Sequence, residues 1–246
     1  MWSSEGLVIV ILMFQQQENL SLAINSAKAI GCVVVGVDAH NIHSKKGKKY
    51  LLLGMIWQLI KMYLYKQITI TRVPGLANLL QPGEDINELL KLSEEEILMK
   101  WANYQLEKAG CSRRMTNFKD DIKDSEIYTE LIAQIAPKDA GVNKLPLTKT
   151  DPLERAEMML QQAEKIDSRA FVTPQSVVNG NEKLNMAFVA NLFNKHPALE
   201  PPEEEIFIEE TREEKTYRNW MNSLGVTPRV NYMYSDLYNG LIIFQV

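Results

Sequence analysis

Between Gly47 and Tyr65 the chain reads GKKYLLLGMIWQLIKMYLY, and after Tyr50 only Gly54, Gln58 and Lys61 interrupt the apolar positions. A helix that faces water repeats its apolar residues at i, i+3, i+4 and i+7, whereas one that is apolar all round has to be enclosed by other helices. The run is too long for a strand without a turn signal. At 1.5 Å per residue it would span about 28 Å, the width of a small domain. The pattern predicts the buried central helix of an all-α domain.

The same periodicity continues along the chain. Leu20, Ile24, Ala27 and Ile30 share one helical face between Glu18 and Gly31, and Gly31 suits a C-cap. The apolar run Leu7 to Phe14 is too short to cross a bilayer. It has neither a basic lead-in nor a small-residue cleavage site, so a buried segment of the fold is expected there rather than a signal peptide. Thr71 to Leu92, with Pro74, Pro82 and Gly83, reads as a linker with helical pieces. Ser93 with Glu96 forms a capping-box signature, Glu94 and Glu95 suit the positive first turn, and Ile97, Leu98, Trp101, Tyr104 and Leu106 carry the helix to Gly110. Further helices are predicted over 125–136, 152–166 and 181–195, the last again apolar nearly all round. An acidic linker with Pro201 and Pro202 leads to a final segment, 212–246, predicted to be helical.

Self-similarity sharpens this outline. GKKYLLLGMIWQLIK (Gly47 to Lys61) aligns without a gap on NEKLNMAFVANLFNK (Asn181 to Lys195), and SAKAIGCVVV on QAEKIDSRAFV. SEEEILMKWAN aligns on REEKTYRNWMN, placing Trp101 on Trp220 and Asn103 on Asn222; SEIYTELI aligns on SDLYNGLI, and EGLVIV on NGLIIF. One unit of about 120 residues is therefore sampled three times, long enough for four helices to close a core. The expected division is a partial first domain over 1–72, a linker over 73–91, a complete second domain over 92–199, an acidic linker over 200–210 and the start of a third domain over 211–246. The first copy lacks its opening helix, which is expected to leave its apolar surface uncovered. The chain is expected to be fragment-like or an alternative form.

Composition narrows the function. A net charge of −4 and 31 acidic against 27 basic residues argue against a general nucleic-acid binder. Two cysteines without a CxxC spacing fit a reducing compartment. No phosphate-binding glycine loop, zinc-protease helix or nucleophile elbow is present, so no enzyme is expected. Cys32, His40 and His43 offer three zinc ligands without a fourth. Asp120, Asp121 and Asp124 lack the glycine and distal glutamate of a calcium loop and read as a solvated approach to a helix. The helical spacing of Trp57, Trp101 and Trp220, and of Met158, Met159 and Met186, points to core packing rather than interface anchors.

The ordered segments EEEILMKWANYQL, DSEIYTELIAQIAP, ERAEMMLQQAEKI and FVTPQSVVNGNEKLNMAFVANLFNKHPAL resemble a calponin homology module. The arrangement of modules resembles the plastin/fimbrin family of actin-filament bundlers. ETREEKTYRNWMNSLGVTPRVNYMYSDLYNGLIIFQ is similar to the start of that family's third module. The resemblance runs from about Gln17 onward. It implies an all-α fold of calponin-homology helical domains in tandem, with F-actin as partner, no nucleic acid or membrane partner, a monomer, and a place in the cytoplasm on the actin cytoskeleton. The family's calcium-binding EF-hands are not in this sequence, so no cofactor is expected.

In such tandem modules the actin face lies largely in the first module, helped by the linker and the first helix of the second. The matching positions here are Lys48 to Lys66 and Glu94 to Lys108. The candidate actin-binding residues are Lys45, Lys46, Lys48, Lys49, Lys61, Lys66, Glu94, Lys100 and Lys108. The competing reading of the lysine cluster is a solvated loop. Positive charge before a helix opposes its dipole, which speaks for another reason to be basic there. Full-length relatives cross-link filaments through two actin-binding pairs. This chain holds less than one pair and a stub, so weak binding without bundling is expected. The alternative is a calponin-homology interaction module that no longer binds actin.

Overall fold

The computed structural model describes residues 4–33, 36–37, 49–81, 84, 86–201, 211–231, 233–237 and 240–246, with side chains in the first helix from Met13 on. No strand occurs among them. The helices are α1 (Ser4–Ala29), α2 (Lys49–Tyr65), α3 (Ile86–Leu90), α4 (Glu94–Lys108), α5 (Glu126–Ile135), α6 (Pro152–Lys165), α7 (Pro174–Val178), α8 (Glu182–Lys195), α9 (Arg212–Ser223) and α10 (Met233–Leu237), with short 3-10 turns at Pro74–Leu79, Leu145–Thr148 and Ile243–Gln245.

The second module is organised around α8. Nine consecutive residues, Asn185 to Phe193, are buried, because α2, α4 and α7 all pack on this helix. Trp101 of α4 meets Phe193 edge to face at 5.3 Å, and its indole N–H donates to the Pro197 carbonyl at 2.8 Å. Tyr128 of α5 meets Phe188 in the same way at 5.1 Å. The capping box expected from sequence is in place, with Ser93 and Glu96 bonding reciprocally, and the structure adds Asp151 and Asn181 as caps of α6 and α8. Met159 and Met186 are buried and Met158 half-buried, in line with core packing.

The stretch between Tyr65 and Leu92 does more than connect. Leu76, Leu79 and Leu89 join the same core as Trp101 and Phe193. At Gly75 the chain runs so close to the end of the second module that a Cβ would stand 2.7 Å from the Glu200 carbonyl oxygen. Asn78 Nδ2 ties the two strips together with a 2.7 Å bond to that oxygen.

The repeat is visible in the hydrogen bonds. Gly31 and Asp167 both take positive φ at matching helix ends. The next N–H, of Cys32 and of Ser168, returns to the carbonyl of Ala27 and of Ala163. Asn103 bridges both backbone groups of Met115, and Asn222 does the same for Val230.

Several expectations are corrected. The helix expected from Glu18 begins at Ser4 and is a single 26-residue element. In the second copy Pro137, Pro146 and Pro152 separate the two matching helices. In the first copy Gln15 to Gln17 stand there, and nothing breaks the helix. The run Leu7 to Phe14 is not a wholly buried segment: Met13 and Phe14, its described side chains, are exposed. Nor is α2 an enclosed central helix. Only Met55, Leu64 and Tyr65 are buried on it, while Leu53 is 64% and Tyr63 71% exposed. It lies between α8 and a small cluster with Ile24, Ala27 and Cys32, and no described helix takes the place α4 takes on α8. The final segment is not one helix: Gly225 and Pro228 fall where α9 gives way to irregular chain. Trp101 is core as expected and Trp57 is half-buried. Trp220 is exposed, because α9 packs only a small cluster of Met221, Val226, Val230 and Ile242.

Replacing Phe193 by Ala should cost about 3–5 kcal/mol of stability in urea titration, since α8 is closed on every side. Leu53→Ala, at an exposed position of the repeat-related helix, should change it by less than about 0.5 kcal/mol.

Candidate functional site

The site expected from sequence centres on the junction of α2 with α4. The last turn of α2 is apolar on the side that meets α8, so Leu64, Tyr65 and Ile68 enter the main core. Asn194 Nδ2 donates to the Leu64 carbonyl at 3.0 Å and fixes that end. Ser93 caps α4, with Glu96 bonding back to it, and Glu95 of the same first turn reaches α2. Lys61 Nζ then lies 2.8 Å from Glu95 Oε1, and the Tyr65 hydroxyl 3.1 Å from the same oxygen. The Lys61 ammonium also sits 5.1 Å from the centre of the Tyr65 ring. The hydroxyl is 2.9 Å from Met186 Sδ of α8, so one tyrosine links its own helix to two others.

An exposed ion pair alone contributes about 0–1 kcal/mol. The junction gains its definition from Tyr65. Its burial, together with the charge of Glu95 and the hydrogen bond to it, pushes the phenol well above its ordinary range. The neutral, hydrogen-bonding form is therefore the one the fold holds.

Beside the junction lies a cleft of about 980 Å³. Lys61, Lys66 and Arg72 line it together with Glu94, Val33 and Asp236. Val33 is held there by Gln58, whose amide bonds both its N–H and its carbonyl at 2.9 and 2.8 Å.

The structure brings Lys61, Lys66 and Glu94 together at this cleft. Lys49 is exposed at the opposite end of α2, about 18 Å away along the axis. Lys100 pairs with Glu84 at 2.7 Å, and its hydrogen bond holds that carboxyl below its ordinary range. Lys108 lies over the Tyr104 ring at 4.8 Å, at the far end of α4. Lys45, Lys46 and Lys48 lie outside the described residues, as do His40 and His43. Cys32 is buried and its thiol points to the Met62 thioether at 3.2 Å. No group of three or more metal-ligating side chains occurs among the described residues, and no helix there is long and apolar enough to cross a membrane.

Tyr65, Glu95, Gln58 and Arg72 belong to the site, and the sequence does not single them out. It shows Glu95 only as a helix-dipole partner, and Tyr65 as one more apolar position at a helix end. The acidic group before α5 is also more than a solvated approach. Arg113 pairs with Asp124 and with Glu126. Asp121 accepts from the Thr116 N–H and hydroxyl, each at 2.7 Å. Burial opposes its ionisation, yet these bonds and that from the Asn117 N–H hold it below the ordinary carboxylate range. These contacts shape the loop that carries Met115 into the core.

The calponin homology (CH) domain model matches residues 5–64 and 92–198. The chain belongs to the calponin homology family. It is 53% identical over 233 residues to fimbrin of Dictyostelium discoideum, covering 95% of this chain and 38% of that protein. It is 52% identical to human plastin-3 over 242 residues, covering 94% and 38% respectively. The chain thus spans well under half the length of the curated relatives it matches. The crystal structure of the actin-crosslinking core of Schizosaccharomyces pombe fimbrin is similar with a TM-score of 0.57 at 41% identity, covering 93% of this chain and 44% of that one. The tandem calponin homology reading and the resemblance to fimbrins and plastins are thereby established.

Raising pH tests the junction. Tyr65 has a raised pKa in the folded state, so its contribution is complete below the ordinary tyrosine pKa of about 10 and is lost as pH climbs beyond it. Stability should hold from neutral pH to about 9 and then decline. Tyr65→Phe should flatten that decline, read as the alkaline limb of the melting temperature against pH.

Proposed function

We propose that this chain binds the side of an actin filament through the surface where α2 meets the first turn of α4, and that it acts by binding, without catalysis. The observation that carries the reading is the junction of Lys61, Glu95 and Tyr65, which sets two helices of neighbouring modules in one fixed arrangement. Lys49 on one end of α2, and Lys61, Lys66 and Arg72 around the cleft, offer positive charge to an acidic filament. The lysines at 45, 46 and 48 would extend that charge. The likeness to the actin-crosslinking core of a fimbrin, along 93% of this chain, speaks for the same partner. Its place is then the cytoplasm, on the actin cytoskeleton.

The described modules provide one such surface, and cross-linking needs two held at once. Binding is therefore expected to be weak and without bundling, and to need no cofactor. The second reading is an interaction module that has left actin, and the apolar rather than charged exposure of Leu53, Ile56 and Tyr63 on α2 favours it.

Filament co-sedimentation separates the two. Charge reversal at Lys48 and Lys49 should weaken binding about three- to tenfold and make what remains less sensitive to salt. Unchanged binding would favour the second reading. Chelation by EDTA should leave the pellet unchanged. Robust cross-linking by the isolated chain at low micromolar concentration would overturn the single-surface account.

A further inference from the structure

Where α6 and α7 begin beside each other, the second module carries a groove of about 600 Å³ that shares no residue with the cleft at the α2–α4 junction. Leu153, Met158 and Pro174 give it apolar surface, and Leu153 is 42% exposed. Methionine is unbranched and adapts to what packs on it, whereas proline holds its shape. The strip ahead of α7 is held by a tight turn. The Val172 N–H bonds the Ala170 carbonyl at 2.9 Å around Phe171, whose φ of 68° is rare for a bulky residue. The turn sends Val172 into the core and so places Thr173 and Pro174 at the groove.

The groove is also acidic. Asp151, Glu154 and Glu157 stand at i, i+3 and i+6 along α6 and line it together. Lys149 lines it too and pairs with Glu154 at 3.3 Å, while Arg169 pairs with Glu157 at 2.9 Å. Three carboxylates against two cations leave the balance negative. Both pairs are at least a third exposed, and a carboxylate accepts several donors, so an incoming cation can join them. Of the three acidic residues the helix needs Asp151, which caps it by accepting from the Glu154 N–H at 2.8 Å. The other end of the trio is not required by the repeat. With the register of Ala27 on Ala163 carried back along the helix, α1 has Ser21 in the place of Glu157.

We propose that this groove docks a basic peptide segment of a partner protein, one with an aliphatic or aromatic anchor and lysine or arginine three or four residues from it. The anchor covers Leu153 and Met158, and the cations meet Glu154 and Glu157. A groove of this size suits a short segment rather than a globular partner. Its charge selects a basic segment and disfavours a phosphate backbone or an anionic lipid surface. The inference does not rest on actin binding.

The probe is a short synthetic peptide with a central Phe-Leu pair flanked by lysines, added to the isotope-labelled full chain. Fluorescence anisotropy should show saturable binding with a Kd on the order of 10–100 μM. Backbone amide shifts should concentrate in residues 149–158 and 173–175. Glu154→Lys with Glu157→Lys should weaken binding at least about tenfold, and Leu153→Ser about threefold or more. The same peptide with glycine in place of the Phe-Leu pair should also bind at least about tenfold more weakly. If the charge reversal loses its circular-dichroism melt, Glu154→Gln with Glu157→Gln replaces it and should weaken binding in the same direction. Binding that does not saturate, amide shifts centred on another surface, or an affinity untouched by the acidic variants would overturn the inference. Equal binding of the glycine peptide would reduce the groove to a charged surface and overturn it as well.

Discussion

The packing of α4 across α8 is the constraint from which the rest of the molecule follows. Trp101 presses its edge on Phe193 while its N–H is satisfied by Pro197, so the largest aromatic of the core is both buried and hydrogen-bonded. That contact closes one side of a helix that has no polar face. The rest of α8 is covered in the same way, by α7, by α2 and by Tyr128 of α5 on Phe188. The strip that runs from Tyr65 to Leu92 is threaded into this core, which is why the junction of α2 and α4 is held as one unit with the second module rather than hung from a linker.

The proposed function would follow from that order. A filament-binding surface made of two helices would require that the helices not move relative to each other. Here Tyr65 performs the fixing, touching α4 through Glu95 and α8 through Met186. The cations that would meet a partner stand around it on exposed positions, where charge steers encounter at little cost to stability.

Much of the fold can be read from sequence because it rests on local rules. Ser93 with Glu96 announces a helix start with a mechanism, and its capping box is observed. The internal repeat alone sets the register of α2 on α8 and of α9 on α4. What sequence misjudges is whatever depends on neighbours. An apolar all-round pattern on α2 says that the helix would gain from enclosure, not that enclosing helices stand there; Leu53 and Tyr63 show the difference. Trp220 carries the same local pattern as Trp101 and has the opposite burial for the same reason. Of the site, Lys61, Lys66 and Glu94 are legible through the resemblance. Tyr65 and Glu95 are not, because their pairing joins residues thirty apart in sequence and no periodicity reports it.

Amide hydrogen exchange reads enclosure helix by helix, and so tests most directly whether α8 and not α2 is the enclosed helix. The amides of α8 and α4 should fall together in the most slowly exchanging class, with the Leu64 to Ile70 stretch close behind. Those of Tyr50 to Ile56 on α2 should exchange through local opening, orders of magnitude faster. Protection of that half of α2 equal to the protection of α8 would contradict the central place given to α8.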